Sequence, residues 1–556
     1  MIQIFLFILV GSFFQTLSMF KTGIMRSFGI GYWGPLARDG VWHEALVNQL
    51  KESFIPINPG LSGNILINYH YFYDLLVAKI SQFTTLSSSL LIYQILPIVF
   101  SALLGIGTYF LAKRLFKNKY VTLLSVFFAY FASSFGWIVS LIKGQQIGGE
   151  SAFWANQPVS MNLNPPYAIS LVILIFAILL LDRYLKKPNV SLGFFLILLL
   201  GTLLGFKAYA GLVAVASLVC LTAKKLFFDK NFSLLPILIF STLLTVVIYF
   251  LDGGNSYSLI SIQPFWLINT MIDAGDRVGI PNFTARRFVY QESHQYVKFV
   301  ALELVSFLIF FVGNLGTRII AFAGFEKKHF KSDLHLFILF VMLASFVPVV
   351  VFVQQGNPWN IIQFFYYFLY FISLYAAAGI VRIYKTLPKV TGILFIILMV
   401  IVTPISSITT FRNGFYPNPP AYLSKNEYQA LIFLSKQPKG NVLVHPFDND
   451  LRSKFKDPYP LSVYAENAYV SAYSGHPSYL EDVEQQIVLN SDYKGRLEDA
   501  KRFFVEKNLN WSDEFLKDNN IRYIYLPKIY SLPAAEDEYS MKKIFENEDV
   551  NIYQVD

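Results

Sequence analysis

The sequence predicts a mainly α-helical, polytopic membrane protein of about 11 transmembrane helices, closed by a small C-terminal extracytoplasmic α/β domain. Three observations lead there. Hydrophobic residues make up 54% of the chain and charged residues 15%, against about 25% charged in soluble domains, and mean hydropathy is +0.47. The apolar residues gather in segments of roughly 17 to 25, the length needed to cross a hydrocarbon core about 30 Å thick. The short loops between these segments are basic, while the long polar segments all fall on the other side.

Spans are expected near 2–20, 88–112, 120–142, 165–182, 190–206, 208–223, 233–251, 297–317, 333–353, 361–381 and 390–410. The first reads as a retained anchor, because no positive charge precedes Ile2 and no small-residue cleavage site follows Phe20. Gly205, Lys207 and Gly211 interrupt an apolar stretch too long for one span, so a tight outward hairpin is expected there. The basic connections Lys113–Lys119, Asp182–Lys187, Lys224–Lys230, Arg318–Lys331 and Arg382–Lys389 are cytoplasmic by the positive-inside rule. The N-terminus is then cytoplasmic, and residues 1–410 form a transmembrane domain with outer loops 21–87, 143–164 and 252–296. Residues 411–556 form the soluble outer domain. The net charge of +9 follows from this topology and calls for no nucleic-acid partner. Cys220 is the single cysteine and lies in an expected span, which excludes an intrachain disulfide and a cysteine metal site.

Residues 65–80 are apolar but carry His70, Asp74 and Lys79, a pattern for an interfacial or re-entrant helix. Past Arg412, Pro417, Pro419 and Pro420 make a stiff linker into the outer domain. Ser424 and Glu427 have capping-box spacing and start a helix. Strands follow at Asn441–His445, Ile521–Leu526 and Val550–Val555, with a long helix over about Glu481–Glu506 and a short one near Ser512–Lys517. No repeat of fixed period occurs.

The first outer loop carries the sharpest local pattern, Arg38-Asp39-Gly40-Val41-Trp42-His43-Glu44-Ala45-Leu46. Val41, Trp42, Ala45, Leu46 and Leu50 recur at helical spacing, which predicts an amphipathic helix on the membrane face with Asp39 and His43 sharing one side. A carboxylate held there can accept a proton. Asp is also a preferred N-cap residue, so the same position admits a purely structural role. Outer-side cations that can grip a phosphate are Lys207, Arg277, Arg286 and Arg287, each of which also reads as a solvated or snorkelling charge. Gln355, Asn357 and Trp359, with His70 in the first loop, set amides and an imidazole beside aromatic rings, as suits sugar hydroxyls and equally an interfacial turn. Glu150, Asp252, Asp273, Asp276 and Glu292 are further outer acids without diagnostic ligand spacing, so a divalent metal is compatible with the chain but required by no motif. Neither H-E-x-x-H, G-x-S-x-G nor a Walker A sequence occurs. Glu303 is the acid placed well inside an expected span, which makes it a functional candidate by default.

A membrane-anchored start, an Asp about twenty residues past the first span, a helix after it, many spans and a terminal outer domain together resemble the GT-C superfamily of polytopic glycosyltransferases. The resemblance implies a sugar donor linked to polyprenyl phosphate, a lipid, glycan or protein acceptor, inversion at the anomeric carbon, and Asp39 as general base with His43 orienting it. It places the enzyme in a prokaryotic cell membrane, among membrane lipids and with no nucleic acid. Many members of that superfamily show an Asp-Glu pair where this chain has Asp39-Gly40. Two other readings remain open: a transporter or lipid flippase using Glu303 and Lys207, and a non-catalytic envelope scaffold in which Asp39 only caps a helix.

Overall fold

The computed structural model describes residues 2–148, 150–251, 260–413, 415–416 and 418–556. Two compact units emerge. One comprises residues 1–18, 97–250 and 256–415, the other residues 19–96, 251–255 and 416–556. The second unit therefore joins the first loop to the C-terminal tail.

Among the described residues, eight helices are long and apolar enough to cross a membrane: Ile2–Phe20, Ser88–Phe116, Pro165–Lys186, Ala208–Phe227, Tyr296–Gly324, Asp333–Val351, Pro358–Thr386 and Lys389–Arg412. Lys119–Phe131 and Gly136–Ile142, bent by 52°, make a ninth if they form one span, and Val190–Phe206 and Leu235–Leu251 are apolar but shorter. Every segment expected to span carries one of these helices, although by length only eight or nine qualify as crossings. The chain is a multi-pass membrane protein. Pro358–Thr386 is the most enclosed of its helices, with 94% of its apolar window buried. Arg318 was expected to open a basic loop. Instead it lies fully buried within Tyr296–Gly324, donating to Ser373 Oγ at 2.9 Å and the Ala132 carbonyl at 2.7 Å.

Contacts between the loops of this unit fall into two sets. Arg114 meets Asp182 at 2.6 Å, Lys224 meets Asp333 at 3.0 Å, and Arg382 donates to the carbonyls of Ala323 and Phe325. All belong to, or border, the connections expected to be cytoplasmic. Lys143 donates to the carbonyls of Gly275 and Arg277, Arg277 donates to the Ser151 carbonyl at 3.0 Å, and strand Ile260–Ile262 pairs antiparallel with Phe352–Gln354. All of these residues come from connections on the other side.

The second unit contains two four-stranded sheets. In one, Gly29–Tyr32 pairs antiparallel with both Met25–Arg26 and Ala421–Ser424, and Ala421–Ser424 runs parallel to Tyr459–Pro460. In the other, Asn441–Val444 lies parallel to Ile521–Pro527, which is followed in order by the antiparallel strands Val550–Val555 and Met541–Glu546. Ser424 Oγ accepts from the Glu427 amide at 3.0 Å and starts helix Lys425–Ser435, as its spacing predicts. The long helix expected over 481–506 is two helices, Val483–Leu489 and Lys494–Phe503, because Asn490 adopts a left-handed conformation at φ +55° and ends the first.

Loop and tail are tied by buried polar bonds as well as strands. Asn58 and Gln486, both almost inaccessible, exchange side-chain amide bonds of 2.7 and 3.3 Å. Replacing Asn58 by Ala leaves Gln486 Oε1 unpaired in the interior, while its amide nitrogen keeps the Glu481 carbonyl, at a cost of about 1–3 kcal/mol. The expected outcome is a lower unfolding midpoint of the purified protein and faster proteolysis of this unit, with Asn58→Asp measured beside it as a size-matched control.

Candidate functional site

Helix Asp39–Glu52 follows strand Gly29–Tyr32 after a short 3-10 turn at Gly34–Ala37. It is not an amphipathic helix lying on a surface. From Gly40 to Leu50 every side chain except Asn48 is buried, including His43, Glu44 and Gln49. Polar residues are tolerated inside because each has a partner supplied by another part of the unit. His43 Nδ1 bonds to Asp74 Oδ1 at 2.7 Å, and Gln49 donates to the Gly475 carbonyl at 3.2 Å. Asn48, half-buried, donates to the Ala472 carbonyl at 2.5 Å. Asp74 belongs to helix Phe72–Thr84, where an interfacial helix was expected; its carboxyl is fully buried against His43, and burial pushes its pKa up while His43 opposes the shift.

Asp39 is the exposed residue at the start of this buried helix. It stands in the first helical turn, with Arg38 at the N-cap position and no side-chain cap bond there, so Asp39 is not the cap. A carboxylate in that turn is favoured by the helix dipole. Glycine follows Asp39 for a steric reason: a Cβ at Gly40 would meet the Tyr93 hydroxyl at 2.6 Å. His43 commits its Nδ1 to Asp74 and is buried, whereas Asp39 is exposed. His70 stacks on Tyr69, the rings 5.0 Å apart and 9° from parallel. Sequence reasoning missed the residues around Asp39. Asp482 and Glu484, from the tail, both pair with Arg38, and Asp39 lies within Coulombic range of Asp482 and Tyr69. No motif marks these tail acids.

The remaining candidates lie in the membrane unit, where several converge. Lys207, buried, donates to Asn164 Oδ1 at 3.2 Å, and the Asn164 amide donates to Gln363, whose own amide donates to Asn360. Tyr209 bonds to Gln354 at 2.7 Å, and Lys207 lies 5.4 Å from the Tyr209 ring centroid. Trp359 packs on Trp154 and Trp266, and the Arg277 guanidinium lies 4.3 Å from the Trp154 ring and 5.1 Å from Trp359. Asn357 turns its side chain onto the Trp359 amide at 3.2 Å, and Gln355 is exposed beside it. Gly211 lets two helices touch: a Cβ there would meet the Leu204 backbone at 2.6 Å.

Arg287 is elsewhere and already matched. It pairs with Asp273, with Glu303 at 2.8 Å, and with Ser306 Oγ at 2.8 Å. Glu303 in turn accepts from Asn269, so this intramembrane acid is one half of an ion pair. Arg286 is exposed. Asp252 and the side chain of Glu150 lie outside the described residues. Among the described residues no group of three or more His, Cys, Asp or Glu gathers as a metal-ligand set.

No protein-family model matches the chain, and no curated protein matches it. Among solved structures it is similar to the oligosaccharyltransferase of Archaeoglobus fulgidus tethered to an acceptor peptide containing the NVT sequon. The TM-score is 0.50 at 12% identity, over 94% of this chain and 69% of that one. ArnT from Cupriavidus metallidurans in the apo state aligns at TM-score 0.47 and 10% identity, over 99% of this chain and 97% of that one. The arabinofuranosyltransferase AftD from Mycobacteria aligns at 0.48 and 11%, over 99% and 40%. At such identities the likeness is one of fold: the chain has a GT-C-like polytopic membrane fold.

The helix that bears Asp39 also buries Glu44 among Ser89, Tyr93 and Tyr473, and burial pushes its carboxyl up to about 7; Glu427 and Glu481, in the same unit, are pushed up to about 7 by the same cause. Between pH 4.5 and about 7 the folded unit therefore holds protons that the unfolded chain has released, and stability falls as pH rises through that window. Each group contributes a slope of at most about 1.4 kcal/mol per pH unit. The unfolding temperature of the detergent-purified protein is expected to be higher at pH 5 than at pH 7.5, with a smaller difference in Glu44→Gln.

Proposed function

We propose that this protein is a membrane glycosyltransferase. It moves a sugar from a polyprenyl-phosphate-linked donor to a lipid, glycan or protein acceptor on the outer face of a cell membrane, with Asp39 as the general base. The observation that carries this reading is the placement of Asp39: an exposed carboxylate in the first turn of a helix whose following ten residues are almost all enclosed. A base held by a rigid element keeps its geometry, and an exposed carboxylate is accessible to an acceptor hydroxyl. The GT-C-like fold agrees with it, and the archaeal neighbour was solved with a tethered acceptor peptide.

In this scheme Asp39 takes the proton from the acceptor hydroxyl as its oxygen bonds to the anomeric carbon. The bond from that carbon to the lipid phosphate breaks, and the phosphate leaves with the bonding electron pair. Attack opposite the leaving group inverts the configuration. Of the cations in the membrane unit, Lys207 and Arg277, the latter beside the exposed Asp276, are candidates for holding a phosphate, whereas Arg287 is already balanced by two carboxylates. The amides and indoles around Trp359, Gln355 and Asn357 suit a sugar ring. His43 acts on the site through the packing of its helix, with Asp74 as its partner. The transport reading rests on Glu303 and Lys207; the ion pair with Arg287 favours a structural role for Glu303.

The test is transfer of radiolabel from polyprenyl-phosphate-linked mannose, glucose and arabinose in membranes carrying equal amounts of wild type or Asp39→Asn. Loss of the base is expected to lower transfer by about 10²- to 10⁴-fold with the protein still folded. Undiminished transfer by Asp39→Asn removes Asp39 from the chemistry; no transfer from any donor by the wild type removes the glycosyltransferase reading for these sugars.

A further inference from the structure

We propose that Arg38, Asp482 and Glu484 form an electrostatic clamp that sets the position and charge environment of Asp39, which makes them positioning residues for the transfer chemistry. The inference rests on the reading of Asp39 as the base. Arg38 directly precedes Asp39 and occupies the N-cap position without a side-chain cap bond, so its guanidinium is held from outside the helix. Its Nε lies 3.8 Å from Asp482 Oδ1, and its Nη1 contacts Glu484. Both acids come from a stretch more than four hundred residues further along the chain.

Asp482 carries two departures from ordinary structure at one residue. Its backbone is left-handed, φ +54° and ψ +65°, a region uncommon for residues other than Gly, in which Asn and Asp are the most frequent of the rest. Its side chain is wholly enclosed; Oδ1 accepts from the Gln485 amide at 3.1 Å, whereas Oδ2 is buried with no hydrogen-bond partner. Glu466 pins the same turn by accepting from the Val483 amide at 3.0 Å, and Asp482 and Glu466 both line a small, partly open cavity of about 40 Å³. Strain and an unsatisfied buried carboxylate persist where the surroundings impose them, and they concentrate at functional sites. What the turn gains here is a fixed grip on Arg38. Burial, first, holds the Asp482 carboxyl well up in pKa, with Arg38 opposing and Glu466 and Asp39 adding to the shift.

The charged and titratable groups next to Asp39 are Arg38 directly before its helix, Tyr69 from the rest of the first loop and Asp482 from the tail; Asp74 faces Tyr69, Glu466 faces Asp482, and Glu484 is held by Arg38. Arg38 favours the ionised form of a group at position 39, and the tail acids oppose it. The two substitutions Arg38→Gln and Asp482→Asn must then act in opposite directions.

A reporter independent of transfer is available because Cys220 is the only thiol in the chain. In a Cys220→Ser, Asp39→Cys protein purified whole in detergent, the pH dependence of alkylation by iodoacetamide gives the apparent pKa of the thiol at position 39. Arg38→Gln is expected to raise it by about half a unit, and Asp482→Asn and the exposed-partner variant Glu484→Gln to lower it by a similar amount. Arg38→Lys is expected to restore it. In the enzyme with Asp39 intact, Arg38→Gln is expected to lower kcat roughly 10- to 100-fold with KM nearly unchanged, and to move the acid limb of the rate profile to higher pH. A thiol pKa that moves in neither variant overturns the clamp, as does a loss of kcat with an unmoved acid limb. If the wild type transfers no sugar, the glycosyltransferase reading fails, and the thiol titration still decides whether the clamp exists.

Discussion

Everything about the candidate base depends on one constraint, the folding of the first loop into the C-terminal tail. Strand Gly29–Tyr32 lies between a short loop strand and Ala421–Ser424 of the tail, so each of these supplies the edge that the other would leave open. Helix Asp39–Glu52 then enters the same core and is enclosed around nearly its whole circumference. Because loop and tail fold as one unit, they must lie on the same side of the membrane. A single core thereby holds residues from near the start of the chain and from its C-terminal tail.

That enclosure explains an arrangement of charges that would otherwise be unfavourable. His43, Asp74, Glu44 and Glu481 are all buried, a placement that is costly for groups without partners. Each is enclosed by groups outside its own turn of the chain: Asp74 bonds His43, Ser89 and Tyr473 surround Glu44, and the amides of Val470 and Ser471 donate to Glu481. The polar network ties the helix more specifically than apolar packing alone would. Asp39 is left at the helix start, exposed, on a backbone that cannot easily move.

The membrane unit has its own centre, where Lys207, Asn164, Gln363, Tyr209, Gln354, Trp359 and Arg277 join through hydrogen bonds and ring contacts. These residues come from four separate connections, all assigned by charge pattern to the outer side. Arg287 and Glu303 satisfy one another nearby and contribute rigidity. A cation already balanced by two carboxylates is poorly placed to hold a phosphate; Lys207 donates to Asn164 and lies against the Tyr209 ring.

By itself the sequence determined where apolar helices form, because the length and composition of a segment decide whether it can sit in a bilayer. It also placed Ser424 as a cap, Val550–Val555 as a strand and Asp39 at a helix start, all from local patterns. Only the tertiary structure decided what covers each face. The spacing of Val41, Trp42, Ala45, Leu46 and Leu50 announces an apolar stripe but cannot distinguish a lipid surface from the tail, nor reveal that His43, Glu44 and Gln49 on the other faces are also buried. Gly40 is explained only by Tyr93, Arg318 only by Ser373 and Ala132, and Asp39's surroundings only by Asp482 and Glu484. The physical reason is common to all of them: periodicity and propensity act over a few residues, whereas the partners that decide each position are brought by the fold from about fifty to more than four hundred residues away.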